Sequence, residues 1–323
     1  MRYTELLMKK VLDGGRVTRR EALRLYGQPE EELCRSADEI RKHFCRDAFD
    51  LCTIVNAKSG RCSEDCRFCA QSARHRTGAA EYPLLPTEEI VAQAQRCAQQ
   101  GVARYSIVTS GKRLPEEEVE RMCEAVREIR ARADIAVCVS FGLLRRDQYR
   151  QLREAGVTRI HNNLETSRRN FPNVCTTHTF DDKVAAIRAA QAEGLSVCSG
   201  GIMGLGETPR DRIDMALTLR KLGIESVPLN MLNPIPGTPL AQFPRLTAGD
   251  MRRIVAVYRF LLPGAFLRLA GGRGLLDDKG EGCFLSGANA AITGDMLTTS
   301  GITVEADLQQ LKKLGYRVDD VHE

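Results

Sequence analysis

Tryptophan is absent from the sequence, and aromatic residues make up only 5% of its 323 residues. Proteins that bind single-stranded nucleic acids stack bases on aromatic side chains, so this class is disfavoured. A large excess of one charge is also absent, because 47 Lys and Arg face 42 Asp and Glu, a formal net charge of +5. A protein that binds nucleic acid by charge alone would be more basic. We therefore expect no nucleic-acid partner.

Long apolar segments are missing as well. The N-terminal residues MRYTELLMKK lack the apolar run of a signal peptide. The most apolar later stretch, residues 254–269, is interrupted by Arg259, Pro263 and Arg268, so it is unsuited to crossing a bilayer. We therefore predict a cytoplasmic protein with no membrane partner, in which thiols stay reduced.

Cysteine, by contrast, is abundant, with twelve in the chain. In a reducing compartment this indicates metal binding or catalysis rather than disulfides. The densest group is Cys62, Cys66 and Cys69 in RCSEDCRFCAQS (61–72), a C-x3-C-x2-C spacing. Three thiolates can hold a cubane iron–sulfur cluster and leave one iron open to an outside ligand. A structural zinc site needs a fourth protein ligand from elsewhere, and it is the alternative.

A repeat indicates the fold. After residue 50, amphipathic segments that end in glycine alternate with short apolar segments, as in QQGVARYSIV and AEGLSVCSGG. Such alternation is typical of βαβ units in a parallel sheet. About eight units predict a (β/α)8 TIM-type barrel with a C-terminal extension (51–323), preceded by an N-terminal helical cap (1–50). A doubly wound open sheet is the alternative. Strands are predicted at 51–56, 104–109, 136–140, 158–162, 196–200, 226–230, 266–269 and 291–293, and helices at 87–100, 115–132, 145–155, 180–192, 208–221 and 247–260.

In the predicted strands, alternate residues form two sets, one mainly polar and one mainly apolar, which we call the two parities. Side chains alternate across a strand, and the outer face of a barrel is covered by helices, which suits the apolar parity. Polar groups facing inward are costly unless a ligand pairs with them. The inward parity therefore predicts an internal reaction chamber, with side chains that include Cys52, Arg104, Ser106, Cys138, Ser140, Cys198, Asn230 and Arg268.

The three-cysteine loop, with the aromatic Phe68 before its third cysteine, resembles the signature of the radical S-adenosylmethionine (SAM) superfamily. Beyond the loop, nearly the whole chain resembles the biotin synthase family. Members of this family insert sulfur between two unactivated carbons of dethiobiotin, and they are usually homodimers with a (β/α)8 barrel. The resemblance lies in NAKSGRCSEDCRFCAQS (56–72), HNNLETS (161–167), VCSGGIMGLGETPRDR (197–212), SVPLNMLNPIPGTPL (226–240), LRLAGGR (267–273) and GANAAITGDMLTT (287–299).

The resemblance implies a [4Fe–4S] cluster on Cys62, Cys66 and Cys69, with SAM on its open iron. It implies further that dethiobiotin is the substrate, that flavodoxin or ferredoxin supplies electrons, and that a sulfur- or cluster-loading system acts on the protein. The residues implied for SAM binding are Phe68, Arg104, which would face the SAM carboxylate, Asn163, Glu165, Ile202 and Gly204. Those implied for the substrate are Asn163, Asn230, Thr298 and Thr299, and the catalytic set is Asn163, Asn230 and Arg268. Family members usually have Asp at the position of Glu165, and a plain turn is the alternative for the two threonines.

One departure from the family concerns sulfur. Members usually hold an auxiliary [2Fe–2S] cluster inside the barrel with three cysteines and one arginine, and Cys138, Cys198 and Arg268 match three of these ligands. The fourth position is Ser106, while Cys52 is an additional inward thiol. Our hypothesis is that Cys52, Cys138 and Cys198 hold a four-iron auxiliary cluster whose open iron carries an extra sulfide. Cys45 is a possible fourth ligand.

Two other functions stay open on the sequence. Another radical SAM enzyme of the same subfamily, such as a mutase or a hydrogenase-maturation-like enzyme, is favoured by the loss of the usual cysteine at Ser106. A non-catalytic iron–sulfur protein, such as an electron carrier, is the second alternative.

Overall fold

A barrel of parallel strands forms the centre of the structure, which is a computed structural model describing residues 2–318. The strands pair in the order β5-β4-β3-β2-β1-β9-β8-β7-β6, and pairing of β5 with β7 closes the sheet. The predicted (β/α)8 TIM-type barrel is therefore confirmed. The strands are β1 Asp50–Lys58, β2 Arg104–Thr109, β3 Ala136–Ser140, β4 Arg159–His161, β5 Ser196–Cys198, β6 Gly201–Met203, β7 Ser226–Met231, β8 Phe266–Leu269 and β9 Ala290–Thr293.

Helices connect the strands and cover the outside of the barrel. Several begin at a threonine whose side chain accepts a hydrogen bond from the backbone N–H three residues on, as at Thr208 and Thr247. The glycines that close the repeat segments have positive φ, for example 109° at Gly156 after α6, as predicted for helix ends. The helices are α1 Tyr3–Leu12, α2 Arg19–Tyr26, α3 Glu30–Cys45, α4 Thr87–Gln99, α5 Glu116–Arg132, α6 Arg146–Ala155, α7 Phe180–Ala192, α8 Pro209–Lys221, α9 Ala248–Leu261, α10 Glu281–Phe284 and α11 Val304–Lys313.

The strand predicted at 196–200 is interrupted in the structure. β5 ends at Cys198 and β6 begins at Gly201, because the neighbouring strand contains Pro228, which has no N–H to donate to a sheet ladder. The chain approaches so closely there that a Cβ on Gly200 would lie 1.9 Å from the Pro228 carbonyl oxygen. The barrel closes through the pair Cys198 and Ser226.

The first three helices precede the barrel and pack against it. α3 contacts α9, and α2 contacts α8. Cys45, the last residue of α3, receives a hydrogen bond from Arg259 of α9 at 3.3 Å and lies near the Pro263 carbonyl oxygen. β1 begins at Asp50, and the division into a cap (1–50) and a barrel domain (51–323) stays a prediction. Residues 319–323 of the predicted barrel domain lie outside the described residues.

The two strand parities separate as predicted. The apolar parity is packed under the helices, with Tyr105, Val137, Leu229 and Leu267 at most 1% exposed. The polar parity faces a cavity inside the barrel. In the described chain, 2–318, no helix is long and apolar enough to span a membrane.

Candidate active site

A cavity of about 360 Å³ occupies the barrel interior. Its volume is that of a small-molecule site, and the segments after β1, β7 and β9 line it together with inward strand residues. The structure brings thirteen of the predicted site residues to this one cavity, which are Cys52, Phe68, Cys69, Arg104, Cys138, Asn163, Glu165, Cys198, Ile202, Asn230, Arg268, Thr298 and Thr299. Cys62, Cys66 and Gly204 do not line it within the described chain.

The three-cysteine segment forms a closed loop after β1. The Cys62 N–H donates to the Gln71 carbonyl oxygen at 3.0 Å, and the Cys69 N–H donates to the Cys66 carbonyl oxygen at 2.9 Å. Cys69 lines the cavity, while Cys62 and Cys66 are half-buried. Burial raises the pKa of the Cys69 thiol to about 11. A cluster on this loop would therefore sit at the edge of the cavity.

The positions of the loop thiols bear on the choice between zinc and a cluster. Ligand atoms around one zinc, with Zn–S near 2.3 Å, lie within about 4 Å of one another. Among residues 2–318, the one Cys/His/acid group with such spacing joins Cys66 to Cys175 and His178, within 4.8 Å, and leaves out Cys62 and Cys69. The sulfur atoms of the three motif cysteines therefore do not all lie within 4.8 Å of one another, which is a wider spacing than one zinc ion requires.

Cys175 and His178 belong to a network behind the loop that the sequence did not reveal. The Glu64 carboxylate accepts hydrogen bonds from His178 at 2.5 Å and from Thr177 at 2.8 Å. Asp65 accepts one from the Cys175 thiol at 3.2 Å. These contacts fasten the loop to the segment before α7. No sequence spacing signals them, because the partners lie more than a hundred residues apart.

The SAM-binding residues implied by the resemblance meet at the ends of β4 and β6. Asn163 Oδ1 accepts a hydrogen bond from the Gly200 N–H at 3.0 Å, and the Ile202 N–H donates to the Glu165 carbonyl oxygen at 2.9 Å. Glu165 has a φ of 67°, and its Oε2 is buried with no hydrogen-bond partner. Burial raises the pKa of this carboxyl. An unpaired buried acceptor facing a cavity fits a ligand that donates hydroxyl groups.

One cation of the site lies differently from expectation, and a second was not predicted. Arg104 is the first residue of β2, and its Nη1 donates to Thr158 at 3.1 Å. At about 3.3 Å per residue, this end of the strand is roughly 16 Å from the end that leads to the loops. Arg104 is therefore poorly placed for a carboxylate bound beside Cys69. Lys183 of α7, which sequence reasoning missed, lines the cavity near Glu165.

The residues implied for the substrate are fixed by backbone groups. Asn230 donates to the Gly201 carbonyl oxygen at 3.1 Å and accepts from the Gly271 N–H at 2.8 Å. Thr298 and Thr299 line the cavity, and the Thr299 carbonyl oxygen accepts from the Met296 N–H at 2.9 Å. The two threonines are therefore both part of a turn and part of the cavity wall.

The inward thiols lie deep in the same cavity. Cys52, Cys138 and Cys198 come from β1, β3 and β5, and each is at most 6% exposed. Burial acts to raise the pKa of Cys198, but a hydrogen bond from His161 and the charges of Arg268 and Arg159 outweigh it and lower the pKa to about 6. Cys45 does not line the cavity. The three inward thiols line one cavity, whereas Cys45 is directed to Arg259.

Asp50 is a buried acid that the sequence analysis overlooked. Its Oδ2 accepts a hydrogen bond from Arg268 at 2.5 Å and lies 3.4 Å from Arg159. Burial acts to raise the pKa of Asp50, but the charges of Arg268, Arg159 and Arg104 outweigh it and lower the pKa. Asp50 shares the inward parity of Cys52, two residues along the strand, and that parity was the available signal.

Replacing Asp50 by alanine should lower the free energy of unfolding by about 3–5 kcal/mol, because it removes the carboxylate that neutralises buried Arg268. The measurement is urea unfolding of the cluster-free protein. The matched control is Asp147→Ala, which removes a carboxylate paired with Arg145 on the surface, and its expected effect is much smaller. Equal effects of the two changes would contradict the role assigned to Asp50.

Comparison with known families agrees with this arrangement. The model of the Radical SAM superfamily matches residues 57–219, and the model of the Biotin and Thiamin Synthesis associated domain matches residues 228–317. Methylornithine synthase superposes with a TM-score of 0.85 at 20% identity, covering 97% of each chain. An FeFe-hydrogenase maturase from Carboxydothermus hydrogenoformans gives 0.81 at 16% identity, covering 97% of this chain and 78% of the maturase. At these identities the two structures show the shared fold alone.

Sequence relatives are closer. The biotin synthase of Brachyspira hyodysenteriae is 54% identical over 313 residues, which are 97% of this chain and 94% of the relative. The biotin synthase of Akkermansia muciniphila is 54% identical over 318 residues, which are 98% of this chain and 99% of the relative. The chain therefore belongs to the biotin synthase family of the radical SAM superfamily.

Proposed function

We propose that this chain is a biotin synthase, a radical SAM sulfurtransferase that converts dethiobiotin to biotin. The observation that carries the proposal is a single cavity that joins Cys69 of the cluster loop to Cys52, Cys138 and Cys198 in the barrel interior. A radical-forming centre at one end and a sulfur source at the other fit the insertion of sulfur into a substrate held between them.

Family membership implies a [4Fe–4S] cluster and SAM, and we assign the cluster to Cys62, Cys66 and Cys69. When bound, the cluster would supply the electron for reductive cleavage of SAM, and SAM would supply the radical chemistry that removes hydrogen from the substrate. The unpaired Oε2 of Glu165 supports a contact with the ribose hydroxyls. Lys183 suits the SAM carboxylate better than Arg104, because it lies on the Glu165 side of the cavity.

Further SAM contacts are proposed for Phe68, Asn163 and Ile202, and a supporting role is proposed for Gly204. Glycines allow a ligand to approach the backbone closely. The φ of 102° at Gly204 supports a glycine there, and its N–H donates to Glu207 at 2.8 Å, which orders the turn. Because Gly204 itself does not line the cavity, it acts by shaping the turn that carries Ile202.

Dethiobiotin is proposed to lie between the two ends of the cavity. Asn163 and Asn230 are assigned to its ureido ring, and Thr298 and Thr299 to its carboxylate. The backbone contacts of Asn230 on both sides of its amide fix its orientation before substrate binds. Such preorganisation avoids an entropic cost during binding.

For the sulfur source, we propose a four-iron auxiliary cluster with an extra sulfide, held by Cys52, Cys138 and Cys198. Three protein thiolates leave one iron of a cubane open. The [2Fe–2S] arrangement of the family is less well supported, because Ser106 offers a hydroxyl instead of a thiol. Moreover, Arg268, the family's fourth ligand, pairs with Asp50 at 2.5 Å. The direction of Cys45 toward Arg259 argues against it as a ligand.

The remaining partners belong to the same proposal. Flavodoxin or ferredoxin is proposed as electron donor, which is supported by the exposed Arg61, Arg67, Arg74 and Arg76 around the cluster loop, since these carriers are acidic. A sulfur- or cluster-loading system replaces the sulfide. A cytoplasmic location follows from the need for reduced thiolates, and a homodimer rests on the resemblance alone.

The test is anaerobic turnover of the reconstituted brown protein with dethiobiotin, SAM and a reductant. We expect 5′-deoxyadenosine and biotin, with biotin sulfur derived from labelled cluster sulfide. The loss of the family cysteine at Ser106 favours one other candidate, a mutase or hydrogenase-maturation-like radical SAM enzyme. Release of 5′-deoxyadenosine without biotin would support that candidate, and a protein that never cleaves SAM would contradict both.

A further inference from the structure

Each inward thiol of the cavity lies beside a hydrogen-bond donor. The Cys52 sulfur accepts a hydrogen bond from Arg268 Nη1 at 3.1 Å. The Cys198 sulfur accepts one from the Ser226 hydroxyl at 3.2 Å, across the strand pair that closes the barrel. Because a thiolate has no proton, the serine and the arginine must be the donors in any metal-bound state.

The third thiol, Cys138, has Ser106 beside it. The two residues are direct partners in the register of β2 and β3. Both line the cavity, so the Ser106 hydroxyl and the Cys138 thiol are neighbours on the same inward face of the barrel. Ser106 thus stands next to a proposed ligand with a hydroxyl that can donate to it.

Arg268 is held in a donating position by other groups. Its Nη2 donates to Asp50 Oδ2 at 2.5 Å, and its Nη1 also contacts the backbone carbonyl oxygens of Asp50 and Ala291 at 3.1 Å. A guanidinium offers five N–H donors and no acceptor. Paired with a buried carboxylate in this way, Arg268 is set up to donate to Cys52 and not to ligate iron.

We propose that Arg268, Ser106 and Ser226 donate hydrogen bonds to the ligand thiolates Cys52, Cys138 and Cys198, and that these bonds tune the reduction potential of the auxiliary cluster. The inference rests on the proposed function. Hydrogen bonds to cluster sulfurs withdraw electron density and favour the reduced form, so they raise the potential. On this account, the position that holds a ligand cysteine in the family holds Ser106 here, and Ser106 donates a hydrogen bond to the neighbouring ligand Cys138.

The experiment is a redox titration of the reconstituted enzyme, followed by EPR, for Ser106→Ala, Ser226→Ala and the double variant. The potential of the auxiliary cluster is expected to shift to more negative values in each single variant and further in the double variant. Iron and labile sulfide should stay at the level of the unmodified protein. A structural defect alone would not give additive shifts.

Ser140→Ala is the matched control. Ser140 lines the same cavity from β3, two residues beyond Cys138, and its hydroxyl contacts no thiol within the described chain. We expect no shift of the auxiliary potential in this variant. The cluster on Cys62, Cys66 and Cys69 serves as an internal reference in every sample.

The Arg268→Lys variant tests whether Arg268, the third proposed donor, donates a hydrogen bond to Cys52 or binds iron directly. If Arg268 is a donor, the variant keeps its full iron content and its potential shifts. Loss of the auxiliary iron would assign Arg268 as a ligand, and the same loss in Ser106→Ala would assign Ser106 as one. Unchanged potentials in all these variants would also overturn the inference. Absence of a second cluster from the unmodified protein would instead contradict the proposed function.

Discussion

Replacing Cys66 by alanine is expected to reduce the release of 5′-deoxyadenosine from SAM to background, and biotin formation with it. Two thiolates cannot hold a cubane cluster in place of three, so the variant loses the centre that delivers the electron. Cleavage is measured anaerobically with dithionite as reductant, which removes any dependence on a protein electron donor.

The control for Cys66 is Cys123→Ala. Cys123 is a buried thiol on α5 that packs in the apolar core, so its loss should leave cleavage intact. Cys175→Ala adds a sharper comparison, because the sulfur of Cys175 lies within 4.8 Å of the Cys66 sulfur but outside the three-cysteine motif. Retained cleavage is expected there. Cleavage by the Cys66 variant at the rate of the unmodified protein would refute the assignment of the cluster loop.

Replacing Cys52 by alanine is expected to abolish biotin formation while leaving SAM cleavage. Cys52 lies on the deep side of the cavity, far along β1 from the loop, so only the auxiliary cluster should be lost. Iron analysis should show about four irons fewer per chain, as a missing cubane requires. The separation of the two activities is the informative result, since general unfolding would remove both.

Cys45→Ala is the companion to Cys52→Ala. Its thiol contacts Arg259 and lies outside the cavity, so iron content and biotin formation should be unchanged. Mössbauer spectra then distinguish the auxiliary clusters. A [2Fe–2S] signal in the unmodified protein, or normal biotin formation by the Cys52 variant, would rule out the proposed four-iron site.

Local patterns were enough to predict much of this molecule. The cysteine spacing identified the loop at residues 62–69, and alternation of helices and strands predicted the barrel. The parity of side chains correctly directed Cys138 and Cys198 inward. These features depend on short stretches of chain, in which spacing in sequence fixes spacing in space.

Other features depend on contacts between distant segments, which spacing does not reveal. The split between β5 and β6 arises because Gly200 meets Pro228 of a neighbouring strand. The approach of Cys175 to Cys66 depends on how a later loop folds back over the first. The side chain of Arg104 points inward, as its parity predicted. The sheet register pairs it with Cys52, however, so it lies at the end of the cavity far from the cluster loop.

The depth of the inward thiols in the cavity has a consequence for the order of catalysis and sulfide replacement. Cys198 is paired with Ser226, whereas Asn230 lies four residues further along β7, which is roughly 13 Å closer to the loops. The proposed auxiliary cluster therefore lies deeper in the barrel than the proposed substrate-binding site. Sulfide that reaches the auxiliary cluster from the loop side must pass through the space that dethiobiotin and SAM would occupy. Cluster repair and catalysis would then alternate. After each turnover, the products would have to leave the cavity before sulfide could be restored to the auxiliary cluster.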